Sequence, residues 1–160
     1  MLLLGGISMA YGQTISLARR ARAVLAKCME DLFNAGIRAE NIMVYNLKEP
    51  MPLAKLRCYD AIYFCGGSPE YLMKRIRRVR LAAPLRQFTE EGGVYVGVSA
   101  GSIVAAANMR SGLQLVNCVL HVHCDAGEQP GEVPLALCPQ IRLTNSRALR
   151  VAGRKAEVIG

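Results

Sequence analysis

The sequence predicts an α/β fold built on a mostly parallel sheet, and three observations carry that expectation. Short apolar runs bounded by turn formers alternate with longer segments of helical periodicity through the first two-thirds of the chain. The short runs are continuously apolar rather than alternating, as strands covered on both faces are. Glycine-rich turns, Gly66-Gly67 and the glycine-flanked Ser99, fall where strands end, at the edge where such sheets bind ligands.

The elements follow in order. The opening run, residues 1–8, is too short and too poor in basic residues for a leader or a bilayer span and reads as a first buried strand. Leu17, Ala21, Val24, Leu25, Cys28, Leu32 and Phe33 recur at helical spacing, and Gly36 stands where that helix stops. Residues 42–47 and 61–65 read as short buried strands. Residues 69–89 read as helical with a break at Pro84, and Gly92-Gly93 leads into a strand over 94–98. The small residues of 99–107 suit a helix packed tightly on a sheet. Beyond them come a stretch over 116–124, a polar loop, and two terminal strands around 141–144 and 148–152. Nothing resembling a linker or repeat interrupts the chain, so residues 1–160 are expected to form one domain of usual size.

Composition narrows the setting. Hydrophobic residues make up 52% of the chain, enough for one buried core. The six cysteines (Cys28, Cys58, Cys65, Cys118, Cys124, Cys138) have no zinc-ligand spacing and read as reduced core thiols, which points to the cytoplasm. No apolar run approaches the roughly 18 residues of a span, so no membrane partner is expected. The net charge is +8, with clusters at Arg19, Arg20 and Arg22 and at Lys74, Arg75, Arg77, Arg78 and Arg80. Both clusters fall on helical segments without aromatic interleaving, so a solvated helix face is preferred to a nucleic-acid surface. An anionic substrate and a homo-oligomer stay open.

The chemistry concentrates at Gly97-Val98-Ser99-Ala100-Gly101, a G-x-S-x-G pattern between an apolar strand and a small-residue helix. A nucleophile on so tight a turn crowds its neighbours, which is why small residues flank it. The turn also sets Ser99 at a helix N-terminus, where Ala100 N–H would face a developing oxyanion. Gly66-Gly67-Ser68-Pro69 is the other candidate strand end, and its backbone could supply a second donor.

A serine nucleophile needs a base, and the histidines are His121 and His123, expected to share one face if 118–124 is a strand. Two histidines at i and i+2 lack a convincing third ligand, so no metal site is expected. The interval 100–120 contains no Asp or Glu, which excludes the order serine, acid, histidine. An orienting acid must come from Asp125, Glu128, Glu132 or Glu157, or from before the serine.

These segments, with Val122-His123-Cys124-Asp125 and Leu143-Thr144-Asn145, resemble the peptidase family of aspartyl dipeptidase (peptidase E) and cyanophycinase over roughly residues 37–160. The resemblance implies a flavodoxin-like three-layer sandwich related to class I glutamine amidotransferases. It also implies a serine peptidase acting on small peptides without a cofactor, with the order serine, histidine, acid. Carried over by position, Ser99 is the nucleophile, His123 the base, and the Gly67 and Ala100 N–H groups the oxyanion hole. The third position falls on Asn145 where the family carries Asp or Glu, with Asp125 as the alternative acid. Ser68 stands where the family has Asn. The amide at position 145 raises a second expectation, a non-catalytic relative that binds a ligand or partner on the same fold. An esterase would differ only in leaving group.

Overall fold

The computed structural model describes residues 2–5 and 15–160, so the end of the opening run, residues 6–8, lies outside the described residues. The chain folds into two compact units, residues 1–101 and 102–160.

The first unit is built on four parallel strands, β1 (Leu2–Gly5), β2 (Ile42–Tyr45), β3 (Ala61–Phe64) and β4 (Val94–Gly97), in the order β2-β1-β3-β4. Register runs Leu2 to Ile42 and Ala61, and Ala61 to Val94. This is the strand order of the flavodoxin-like sheet. The helices between the strands are α1 (Ile15–Asn34), α2 (Leu53–Leu56), α3 (Pro69–Arg78) and α4 (Ala82–Glu90). Successive residues Ile62, Tyr63 and Phe64 of β3 are all buried, which requires cover on both faces of that strand. β2 departs from the buried strand expected, since Met43 and Val44 are nearly half-exposed on a strand that, among the described residues, pairs with β1 alone.

Helix ends follow local chemistry. Gly36 (φ +83°) closes α1 with Gly36 N–H donating to Phe33 O and Ile37 N–H to Leu32 O, the Schellman pattern. Gly92 (φ +96°) closes α4 in the same way, through bonds to Thr89 O and Phe88 O. Gly93 has a different reason to be glycine, because a Cβ there would lie 2.3 Å from the Phe88 ring.

The helical stretch 69–89 does break, but not at Pro84. Arg80 adopts φ +53° and donates to Arg77 O while Leu81 N–H donates to Ile76 O, a Schellman closure with Ile76 and Leu81 both buried. Burial of those two side chains outweighs the cost of a left-handed arginine. Pro84 instead sits in the first turn of α4, where an N–H has no intrahelical acceptor to lose. The α3 start is also locally determined: Ser68 Oγ accepts from Tyr71 N–H at 3.2 Å, with Pro69 next in line.

The second unit carries most of α5 (Ala100–Ala105), then β5 (Val119–His121) parallel to β7 (Gln140–Arg142). A separate three-stranded sheet has the order β6-β9-β8, from β6 (Gly131–Glu132), β8 (Ala148–Ala152) and β9 (Lys155–Ile159), all antiparallel. β9 is not among the strands expected from sequence. Gly153 (φ +58°) folds 155–159 back on β8, which buries Ala156 and Val158. Ala106, Cys118, Leu120, Ile141, Leu143 and Val158 form the buried cluster of this unit.

All six cysteines are free, with Cys28, Cys65 and Cys118 buried. No helix among the described residues is long and apolar enough to cross a membrane.

Candidate active site

The elbow grows out of β4. The β3–β4 ladder extends one residue past the strand, with Val98 N–H donating to Phe64 O at 2.9 Å. The chain then reverses through Ser99 at φ +53°, and α5 starts at Ala100. A serine in the left-handed region costs of order 1–3 kcal/mol and persists only where neighbouring structure imposes it. Here the imposing contacts can be named. Gly101 N–H donates to Val98 O at 2.9 Å, and the Tyr95 hydroxyl donates to Gly101 O at 2.8 Å. The Tyr95 ring stacks on Phe64 with centroids 5.3 Å apart.

The glycine after the serine is required by space. A Cβ at Gly101 would lie 2.6 Å from Phe64 O and 2.9 Å from Phe64 Cβ, so the first turn of α5 presses directly on the end of β3. Gly101→Ala is therefore expected to destabilise the fold by about 1–3 kcal/mol through overpacking. Urea unfolding followed by circular dichroism measures this as a lower midpoint at unchanged slope.

The Gly66-Gly67 loop lies beside the serine, as the sequence leads one to expect. A Cβ at Gly66 would sit 3.4 Å from Ser99 Cβ and 3.7 Å from Ser99 Oγ, so the loop backbone lines the serine side chain. Gly67 has φ +136°, a conformation that side chains avoid.

The histidine segment is held by its own unit. The β5–β7 pairing continues past both strands, with Leu143 N–H donating to His121 O (2.7 Å) and Cys124 N–H to Leu143 O (3.0 Å). Glu128 N–H then donates to Arg142 O at 2.9 Å, and a Cβ at Gly127 would lie 2.6 Å from that same oxygen. The loop after β5 is thus laid against residues 142–144. Within it His123 takes φ +60°, outside the strand, so the expectation that the two histidines share a strand face is corrected. The single strand residue of the pair, His121, is engaged across the ladder, with Nε2 3.0 Å from Gln140 Oε1.

His123 Nδ1 lies 2.7 Å from Asn145 Oδ1. With the amide oxygen as acceptor, Nδ1 carries the proton and the basic lone pair is on Nε2. Asp125 is exposed in the same loop. The Tyr95 anchor is the part of the site that sequence reading misses. An aromatic two residues before G-x-S-x-G, on a strand facing a helix start, is the signal that could have found it.

The first unit is an α/β unit whose parallel, flavodoxin-like sheet ends in a serine turn, and the second unit carries a histidine and amide pair. A family model described as peptidase family S51 matches residues 14–123, and the chain belongs to that family. A curated relative, Peptidase E of Shewanella amazonensis (strain ATCC BAA-1098 / SB2B), is 34% identical over 77 residues. That match takes in 48% of this chain and 33% of the relative, about a third of its length. A 1.5 Å crystal structure of a candidate peptidase E from Listeria monocytogenes EGD-e superposes with a TM-score of 0.64 at 16% identity. It covers 99% of this chain and 84% of the other, a likeness of fold.

Proposed function

We propose that this chain is a serine peptidase that hydrolyses small peptides through an acyl-enzyme on Ser99. In this reading His123 Nε2 takes the Ser99 proton as Oγ attacks the scissile carbonyl, and the Gly67 and Ala100 N–H groups hold the tetrahedral oxyanion. His123 then gives the proton to the leaving amine, and water hydrolyses the ester by the same route. Asn145 holds the imidazole in the tautomer that the first step needs. The observation that carries the reading is Ser99 itself, in the left-handed region between β4 and α5 with Gly66 against its side chain, in a member of a peptidase family. Six free cysteines support a reducing, cytoplasmic setting.

One observation favours a second reading, a relative that binds without turnover. The partner of His123 is an amide, which orients imidazole but does not compensate the charge of imidazolium. Incubation with a fluorophosphonate probe separates the two. The peptidase reading expects a covalent adduct by intact mass, mapped to Ser99 and absent from Ser99→Ala. An unmodified wild-type chain would favour the binding relative.

A further inference from the structure

β5 has two edges and, among the described residues, pairs with β7 alone. Val119 and His121 make the bonds on that side: Val119 N–H donates to Pro139 O at 2.9 Å, and His121 O accepts from Leu143 N–H at 2.7 Å. Alternate residues of a parallel strand turn their backbone groups to opposite edges, so Leu120 presents N–H and C=O away from β7.

One side chain meets both groups. Leu120 N–H donates to Asn108 Oδ1 at 2.8 Å, and Asn108 Nδ2 donates to Leu120 O, also at 2.8 Å. The amide stands in for a residue of a neighbouring strand, and the chain around it is fixed to allow this. Ala107 N–H donates to Cys118 O at 2.8 Å, and Ala106 is buried in one cluster with Cys118 and Leu120. At the end of α5, Val104 O and Ala105 O accept from Leu113 N–H and Leu115 N–H, both at 2.7 Å.

The paired contacts select a register. An amide with one donor and one acceptor matches Leu120, whereas Val119 and His121 have turned their groups to β7. A slip of β5 by one residue would break both bonds and take the Leu120 side chain, 5% exposed, off the core face. His123 lies three residues further on, and its Nδ1 meets Asn145 Oδ1 beyond the end of β7. The height of His123 along β7 is thereby tied to Asn108.

We propose that Asn108 is a positioning residue: by completing the second edge of β5 it fixes the register that carries His123 Nδ1 to Asn145, and with it the direction of Nε2. The consequence for turnover rests on His123 acting as the base; the consequence for the imidazole itself does not.

The test compares wild type with Asn108→Ala, which removes both bonds, and Asn108→Asp, which keeps an acceptor for Leu120 N–H and sets a carboxylate oxygen against Leu120 O. Long-range proton–nitrogen correlation of the imidazoles reads the tautomer, and His123→Gln assigns the His123 signal. Wild-type His123 is expected in the Nδ1–H form, and both variants should move toward a mixture of tautomers as the bond to Asn145 loosens. Turnover of a small ester, per site titrated with the fluorophosphonate, should fall by about 10- to 100-fold while KM stays nearly constant, because a misplacement of about 1 Å costs that much. A bond that served stability alone would lower the unfolding midpoint and leave the His123 spectrum and kcat per titrated site unchanged. The proposal is overturned if folded variants keep the wild-type tautomer, or if kcat per titrated site is unchanged in a chain whose wild type turns over. A wild type without Ser99-dependent turnover removes the peptidase reading, and the tautomer spectrum then decides the placement by itself. Should Asn108→Ala fail to fold, the nearly isosteric Asn108→Asp carries the comparison.

Discussion

Asn145→Asp is expected to raise hydrolysis of a small peptide or ester, by as much as about 10⁴-fold in turnover. The amide already sits 2.7 Å from His123 Nδ1, so the substitution changes charge without moving the contact. A carboxylate there accepts the same Nδ1–H bond and adds attraction for the imidazolium that forms as Ser99 gives up its proton. The gain should appear in kcat more than in KM, because the imidazolium exists in the transition state and not in the bound substrate. Asp125→Asn is the control and should change turnover little. Steady-state kinetics of both variants decides the matter. If Asp125→Asn abolishes activity while Asn145→Asp leaves it unchanged, the orienting acid comes from the histidine loop.

Ser99→Ala supplies the second large effect, and its size should depend on residue 145. In triads dismantled one member at a time, loss of the serine costs about 2 × 10⁶ in turnover and loss of the acid alone about 3 × 10⁴. The span left once the acid is gone is therefore about 10²-fold. Ser99→Ala in the wild-type chain should lose roughly that much, and in the Asn145→Asp chain up to about 10⁶-fold. Equal losses in both backgrounds would show that residue 145 and Ser99 do not act on the same step, and would remove Asn145 from the proposed machinery.

Much of the site is local, and local patterns are what a sequence displays. G-x-S-x-G between an apolar run and small residues sets a strand end, a sharp turn and a helix start within a few positions of Ser99, and Gly101 against Phe64 supplies the spatial reason for its second glycine. Gly36 and Gly92 mark helix ends because positive φ is cheapest for glycine, whereas the same closure at Arg80 carries no such mark. There the burial of Ile76 and Leu81 overrides propensity, while the visible breaker in the sequence is Pro84. The β9 return escapes sequence reading for a related reason: 155–159 is short and mixed in polarity, and only pairing with β8 and β6 makes it a strand.

By itself the sequence determined the parallel α/β class, the order of elements from β1 to α5 apart from the short α2, and the serine turn. It limited the base to two histidines and excluded an acid between serine and histidine. Tertiary structure decided between the histidines' surroundings, giving His121 to Gln140 and His123 to Asn145. It also packed Cys28 and Cys65 into one buried cluster with Leu32 and Tyr63. The division follows from range: turn chemistry and periodicity act over a few residues and are written in adjacent letters. The His123–Asn145 bond joins residues 22 apart, and exists because the loop after β5 is laid along β7 by backbone bonds to which any side chain would contribute alike.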